Sequence, residues 1–172
     1  MGRMNKTLTA ILTIVIGLGI LFAGCGGGTP KSAQVGELAP DFQFQGDDGQ
    51  PTSLSDLQGS PVLLNFWATT CGYCVYEMPY LQQIWDEWEE KGLVLLAVNV
   101  MESRSKVESF MQSRGLSLPV VLDSNGALAG QYGVTGIPAT FFIGKDGVVQ
   151  KVKVGAFQSA AEIESILNQL FD

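Results

Sequence analysis

Two cysteines, Cys71 and Cys74, are separated by two residues and precede a segment with helical periodicity. A cysteine at a helix start lies near backbone N–H groups that lack partners, and their partial positive charge favours the thiolate over the thiol. Such a thiolate attacks a partner's disulfide, and a second cysteine resolves the mixed disulfide. The same spacing also serves zinc sites and structural bridges. The pair alone therefore leaves three uses open: thiol exchange, metal binding or a structural disulfide.

The composition of the 172 residues disfavours several classes of site. The sequence has no histidine, which removes the commonest general base and metal ligand and argues against Cys–His hydrolases. A structural zinc site needs four protein ligands, and no second cysteine pair is present to complete one. The net charge of −7 argues against a nucleic-acid partner. The length and the 46% hydrophobic content fit one folded domain with an appendage.

The first 24 residues have the pattern of an export signal. Arg3 and Lys6 precede an uncharged apolar run from Leu8 to Ala23, which is somewhat short for a spanning helix of roughly 20 residues. The segment 21–25 resembles a bacterial lipoprotein box, in which Cys25 is lipidated and becomes the mature N-terminus. Phe22 departs from that pattern, which usually has leucine there. A plain membrane anchor with an unmodified cysteine is the alternative.

The composition after Cys25 suggests a tether. Residues 26–33 are rich in glycine and small polar residues and cannot bury much apolar surface. We therefore expect a signal peptide at residues 1–24, a flexible tether at 25–35 and one folded domain at 36–172. Lipidation of Cys25 would also leave Cys71 and Cys74 as an even pair in an oxidising exterior.

From residue 36 onwards the pattern alternates between strands and helices. Phe42 and Phe44 alternate with polar residues and, with residues 52–54 across a turn at 46–49, predict a hairpin. Further apolar or alternating runs predict five strands, at residues 62–66, 93–100, 118–122, 140–143 and 148–154.

Three longer segments have helical periodicity. The segment after Cys71 is predicted to bury one stripe, made of Val75, Met78, Leu81, Trp85 and Trp88. Residues 105–108 and 159–162 fit capping boxes that start two further helices. Strands that alternate with helices imply parallel strands with right-handed crossovers, and so an α/β fold.

The redox pair between a strand and a helix, the element order and Gly136-Ile137-Pro138-Ala139-Thr140 before a strand together resemble the thioredoxin superfamily. The lipoprotein-like start, the hairpin and the strand and helix inserted between residues 93 and 122 are more similar to its extracytoplasmic branch, the TlpA/ResA-like proteins. The resemblance covers about residues 36–171. It implies a thioredoxin-like three-layer α/β/α sandwich with a mixed sheet, an N-terminal β-hairpin and a central strand-helix insertion.

The resemblance assigns roles to five positions. Cys71 matches the nucleophilic cysteine and Cys74 the resolving cysteine. Pro138 matches a cis-proline that sits against the disulfide and leaves the preceding backbone free to pair with an extended substrate. Pro79 matches a structural proline that kinks the active-site helix. Glu77 matches an active-site glutamate of the ResA-like branch, one turn from Cys74 and so able to exchange a proton with it; a solvated glutamate favoured by the helix dipole is the alternative.

Two positions depart from the family pattern. Asn65 stands where thioredoxin has a buried aspartate, so Glu77 becomes the favoured proton carrier. Thr70 replaces the tryptophan that usually precedes the first cysteine. Trp67 is retained, either to shield the disulfide or as an ordinary core aromatic. We expect five residues to line the site: Trp67, Thr70, Gly72, Tyr73 and Ile137.

The resemblance implies a membrane-tethered extracytoplasmic thiol-disulfide oxidoreductase, monomeric and without a cofactor. Its expected substrates are disulfides in exported proteins such as apocytochrome c, and its expected electron donor is a membrane thiol carrier of the CcdA type. A disulfide isomerase or oxidase is one alternative, and a non-catalytic module with a structural bridge is another. A peroxiredoxin-like peroxidase is a fourth possibility, but such enzymes have a threonine three residues before the reactive cysteine, where this chain has Ala68.

Overall fold

The computed structural model describes residues 32–46 and 49–171. Within them, strands and helices follow in the order expected from the sequence. The strands are β1 (Gln43–Gln45), β2 (Pro51–Ser53), β3 (Val62–Trp67), β4 (Val94–Val100), β5 (Val120–Asp123), β6 (Ala139–Ile143) and β7 (Val149–Val154). The helices are α1 (Gly72–Trp88), α2 (Arg104–Arg114), α3 (Ala127–Gln131) and α4 (Ala160–Phe171), with a 3-10 helix at Leu54–Leu57.

Strands β1 and β2 pair antiparallel and form the predicted N-terminal hairpin. Residues 47 and 48 of its predicted turn lie outside the described residues. The predicted export segment, Cys25 and most of the predicted tether also lie outside them. Among residues 32–46 and 49–171, none of the helices combines the length and apolar character needed to cross a lipid bilayer.

The other five strands form one sheet in the order β5-β4-β3-β6-β7. β3, β4 and β5 run parallel, whereas β6 and β7 are antiparallel to their neighbours. Every residue of β3 is buried because this central strand is covered on both faces. The predicted thioredoxin-like fold with a mixed sheet is therefore confirmed. Because β3 and β4 are parallel, the loops that follow them emerge at the same edge of the sheet.

Helices α1, α2 and α4 cover one face of this sheet. Their buried side chains form one apolar cluster with the strands, which includes Leu63, Met78, Leu95, Val107, Phe142 and Ile163. Burial of such a stripe, more than intrinsic propensity, stabilises a helix of ordinary length. The packing fixes α1 against β3, and with it the position of the first turn of α1, where the two cysteines lie.

The buried stripe of α1 differs from the predicted one. Met78, Leu81 and Trp88 are buried as predicted, but Val75 and Trp85 are only partly buried. Cys74, Glu77 and Ile84 are buried in addition. The sequence pattern gave no reason to place Glu77 inward, because a carboxylate is costly to bury unless it has hydrogen-bond partners. The helix is therefore rotated so that Cys74 and Glu77 both face the sheet.

The predicted capping box at residues 105–108 is wrong. Helix α2 begins at Arg104 with Ser103 as its N-cap, and no side chain caps it. The capping box predicted at residues 159–162, at the start of α4, is half right, since the Glu162 N–H donates to Ser159 Oγ at 3.2 Å. The Glu162 carboxylate, however, accepts from the N–H of Gln158 at 2.8 Å rather than from Ser159.

The hairpin, the 3-10 helix and α3 cover the opposite face. Tyr132, which follows α3, is almost fully buried, and its ring lies 5.4 Å from that of Phe66 and 5.1 Å from that of Phe141. A third ring, Phe42, packs edge-on against it at 6.1 Å. The Tyr132 hydroxyl donates to the carbonyl of Pro40 at 2.8 Å. This residue therefore attaches the segment before the hairpin to the sheet.

We expect two replacements of Tyr132 to separate its hydroxyl from its ring. Tyr132→Phe removes one hydrogen bond and should lower the free energy of unfolding by about 1 kcal/mol. Tyr132→Ala also removes the ring and should lower it by about 3–5 kcal/mol. Urea unfolding of both variants measures these losses. Equal losses would contradict the conclusion that ring packing dominates at this position.

Candidate active site

The two cysteines lie at the start of α1, at the edge where β3 ends. Cys71 is the N-cap residue, and its sulfur accepts a hydrogen bond from the N–H of Cys74 at 3.2 Å. The two are joined by a disulfide, and their Cα atoms are 5.2 Å apart. Cys71 is partly buried, whereas Cys74 has no exposed surface. A partner molecule can therefore reach Cys71 but not Cys74.

The loop before β6 lies against the disulfide. The Ile137–Pro138 peptide bond is cis, and Pro138 is buried. The carbonyl oxygen of Ile137 lies 3.7 Å from Cys71 Sγ. The carbonyl of Pro138 accepts from the N–H of Gly155 at 2.8 Å, which ties this loop to the end of β7. The structure thus brings Ile137 and Pro138 next to Cys71.

Glu77 is fully buried one helical turn after Cys74. Its Oε1 accepts from Asn65 Nδ2 at 2.9 Å, and its Oε2 accepts from the N–H of Phe157 at 2.8 Å. Burial raises the pKa of the Glu77 carboxyl to about 7, against the opposing effect of these two hydrogen bonds and of Lys153. The alternative of a solvated surface glutamate is therefore wrong.

Asn65, in the centre of β3, links Glu77 to the neighbouring strand. Its Nδ2 donates to Glu77 and also to Thr140 Oγ1 at 2.9 Å, and Thr140 is its register partner on β6. All three side chains are buried. Asn65 Oδ1 has no hydrogen-bond partner. A buried amide thus occupies the position at which, by the family resemblance, thioredoxin has a buried aspartate.

The remaining predicted site residues divide into buried and exposed ones. Trp67 is fully buried in the same apolar cluster as Cys74, and its ring lies 5.4 Å from that of Phe110. This placement is that of a packed core aromatic. Thr70 and Gly72 are exposed, and Tyr73 is 75% exposed beside the disulfide. These three residues form an exposed rim around the disulfide. Pro79 lies inside α1 and is exposed.

One residue that the sequence pattern did not indicate, Glu102, lies beside the loop that carries Cys71. Glu102 accepts hydrogen bonds from both the N–H and the hydroxyl of Thr69, each at 2.7 Å. The two residues are 33 positions apart, so no local pattern links them. The predicted order of parallel strands could have indicated the contact, because Glu102 follows β4, whose end lies beside the end of β3. In the described part of the chain, no group of three His, Cys, Asp or Glu side chains is arranged to hold a metal ion.

The class of protein follows from the fold and from a disulfide at a helix N-terminus beside a cis-proline: these features are those of a thioredoxin-fold oxidoreductase. Residues 35–152 match the AhpC/TSA family. The chain is 41% identical over 128 residues to the thiol-disulfide oxidoreductase ResA of Geobacillus thermodenitrificans, which covers 74% of each chain. The chain therefore belongs to the AhpC/TSA family and is a ResA-like thiol-disulfide oxidoreductase, as the motifs predicted.

The solved structures that are similar to this one include two bacterial thioredoxin-fold proteins. A thiol:disulfide interchange protein of the thioredoxin family from Chlorobium tepidum superposes with a TM-score of 0.70 at 29% identity, over 83% of this chain and 100% of that one. The exposed lipoprotein thioredoxin of Streptococcus pneumoniae superposes with a TM-score of 0.62 at 32% identity, over 76% of this chain and 100% of that one. Both similarities include the fold that positions the disulfide.

The buried carboxyl of Glu77 predicts a specific dependence of stability on pH. Its pKa is raised in the folded state, so between pH 4.5 and about 7 the folded protein holds a proton that the unfolded chain has lost. The contribution of Glu77 to the free energy of unfolding should therefore fall by roughly 3 kcal/mol as the pH rises through this range. Urea unfolding of the oxidised protein at pH 4.5, 6 and 8 measures it.

Glu77→Gln should remove this fall, because glutamine does not titrate. Glu90→Gln, which replaces an exposed glutamate just after α1, is the matched control, and we expect the fall to persist in it. An unchanged pH dependence in Glu77→Gln would contradict the assignment to Glu77.

Proposed function

We propose that the protein reduces disulfides in exported proteins by thiol exchange at Cys71 and Cys74. The observation that carries this proposal is the unequal exposure of the two sulfurs at one helix N-terminus. Cys71 is partly exposed at the N-cap, whereas Cys74 is buried behind it. Exchange needs this division, because one sulfur must meet the partner and the other must be kept for the second step.

The proposed reaction starts from the reduced pair. The Cys71 thiolate attacks one sulfur of the partner's disulfide, so that an S–S bond forms between the proteins and the partner's own S–S bond breaks. The departing sulfur leaves as a thiolate and takes a proton. Cys74 then loses its proton, attacks Cys71 Sγ and releases the partner's second thiolate. Two electrons pass to the partner, and the Cys71–Cys74 disulfide in the structure is the resulting state.

Glu77 is the proposed proton acceptor for Cys74. Helical residues three positions apart have Cβ atoms roughly 5–6 Å from each other, which brings the carboxyl near the thiol. A pKa of about 7 lets this carboxyl hold or release a proton at neutral pH, as an efficient proton carrier requires. The hydrogen bonds from Asn65 and Phe157 keep its two oxygens in place.

Ile137 and Pro138 are the proposed platform for the substrate's backbone. The Ile137 carbonyl lies against Cys71, and two large apolar side chains nearby are exposed, Tyr73 by 75% and Val154 by 72%. Val154 pairs with Ala139, directly after Pro138. An extended segment with apolar residues beside its cystine fits such a surface. The net charge of −7 favours basic over acidic partners.

For the partners, we propose apocytochrome c among the exported substrates and a membrane thiol carrier of the CcdA type as electron donor. Both follow from the TlpA/ResA-like resemblance. The two sulfurs hold the transferred electrons themselves, so the proposed reaction needs no cofactor and can be carried out by a monomer.

The alternative of a peroxiredoxin-like peroxidase is disfavoured by the residues before Cys71. The third residue before it is Ala68, which is buried and has no hydroxyl. The hydroxyl of Thr69 donates to Glu102, and Thr70 is exposed at the rim. The threonine that peroxiredoxins have three residues before the reactive cysteine is therefore absent from that position here.

We further propose that residues 1–24 are a signal peptide, that residues 25–35 are a tether and that a lipid on Cys25 holds the domain of residues 36–172 at the outer face of a bacterial membrane. The support is the sequence pattern together with the similarity to the pneumococcal exposed lipoprotein thioredoxin.

The reduction potential of the Cys71–Cys74 pair tests the direction of electron flow. We expect a value near that of thioredoxin, about −270 mV, after equilibration with a series of thiol–disulfide buffers of different potential. A value near −120 mV would identify an oxidant, and one below about −300 mV would indicate a structural bridge. Cys71→Ser is the control for the chemistry, and full disulfide reductase activity in that variant would overturn the proposal.

Replacement of Cys25 tests the lipid anchor. In a bacterial host, we expect the wild-type chain in the membrane fraction and Cys25→Ala either released or retained with its uncleaved signal. Mass spectrometry of the N-terminus distinguishes a diacylglyceryl-cysteine from an uncleaved anchor. An unmodified Cys25 in the membrane-bound wild-type chain would contradict lipidation and favour the plain anchor.

A further inference from the structure

A buried carboxylate outside the cysteine pair is bonded to the loop between β3 and α1. Glu102 Oε2 accepts from the N–H of Thr69 and Oε1 accepts from its hydroxyl, both at 2.7 Å. Asn99 Nδ2 donates to Oε2 at 2.8 Å, and Lys106 Nζ lies 2.6 Å from Oε1. The Glu102 side chain is only 6% exposed. Four donors therefore converge on one carboxylate, and hydrogen bonds to a charged acceptor are the strong ones.

The fold explains how these donors meet. β3 and β4 are parallel, and Trp67 is the register partner of Asn99, so the loops after the two strands leave the sheet side by side. Met101, between Asn99 and Glu102, has a positive φ of 59°, a conformation that costs a non-glycine residue energy. The surrounding bonds maintain this turn, and it directs Glu102 toward Thr69.

The charge on Glu102 is stabilised by the same bonds. Burial acts to raise the pKa of its carboxyl, but the hydrogen bonds from Lys106, Thr69 and Asn99 outweigh burial and hold the pKa at about 2. Glu102 is therefore an acceptor with a fixed position throughout the physiological pH range.

We propose that Glu102 is a positioning residue for the nucleophile: through Thr69 it fixes the loop that presents Cys71 to the substrate. This inference rests on the proposed role of Cys71. Thr69 is two residues before Cys71, and the Cys71 N–H donates to the carbonyl of Ala68 at 3.1 Å, so the loop is a tight turn. In the reduced protein no disulfide holds Cys71, and the Glu102 bonds then keep its sulfur near the N–H of Cys74.

Glu102→Gln tests the proposal. Glutamine keeps the size of the side chain but places an NH₂ group against donors, so at most one of the two hydrogen bonds from Thr69 can remain. We expect the disulfide reductase rate to fall by about tenfold to a hundredfold, since a misplacement of the reacting groups by about 1 Å can cost roughly a hundredfold. We also expect the pH profile for alkylation of Cys71 to move to higher pH, because a displaced thiolate loses the N–H of Cys74. Removal of a negative charge alone would move the profile to lower pH.

Matched variants separate positioning from folding. Thr69→Val removes only the hydroxyl contact and should cause a smaller change in the same direction, whereas Thr69→Ser keeps both contacts and should retain wild-type rates. Glu108→Gln alters an exposed glutamate of α2 that pairs with Arg104, and should change nothing. Near-UV circular dichroism checks that each variant is folded.

The inference would be overturned by wild-type rates and alkylation profiles in Thr69→Val and Glu102→Gln, or by a shift of the profile to lower pH. Lower thermal stability with unchanged chemistry would also overturn it, since that result assigns Glu102 a purely structural role. Failure of the proposed function itself has a different signature, namely reductase activity that persists in Cys71→Ser.

Discussion

The buried carboxyl of Glu77 is the constraint to which the rest of the site is fitted. A carboxyl removed from water needs hydrogen-bond partners, and here they come from the central strand, through Asn65, and from the segment before α4, through Phe157. These directional bonds fix the rotation of α1 on the sheet, which apolar packing alone would leave less well defined. The orientation of α1 then buries Cys74 and leaves Cys71 at the surface.

The carboxyl groups of Glu77 and Glu102, which contact β3 and the loop after it, have opposite environments. Glu77 receives two hydrogen bonds, and burial outweighs them, so its pKa rises to about 7. The Glu102 side chain is 6% exposed and receives bonds from Lys106, Thr69 and Asn99, so it stays charged. Environments that separate the pKa values of similar groups separate their roles. Glu77 can carry a proton near neutral pH, whereas Glu102 can only act as a fixed acceptor.

The sequence predicted those features that depend on local pattern. Apolar runs placed the strands within one or two residues, and the Cys71–Cys74 spacing marked the two cysteines that the structure joins in a disulfide. Contacts between segments that are distant in the sequence were harder to predict from it. The predicted stripe of α1 was right at Met78, Leu81 and Trp88 but did not include Glu77, because the partners of its carboxyl come from distant segments. Glu102 was missed because its bond to Thr69 exists only when the ends of two parallel strands meet.

Asn65 shows why an amide suits the position that faces Glu77. In the present orientation its NH₂ group donates to the Glu77 carboxylate and to Thr140, and its oxygen has no partner. A half-turn of the amide would present that oxygen to a protonated Glu77, which would then be the donor. An asparagine can thus hydrogen-bond Glu77 in both of its protonation states. An aspartate here would add a like charge and raise the pKa of Glu77 further. The amide on the strand and the acid on the helix are therefore complementary as hydrogen-bonding groups in both protonation states of Glu77.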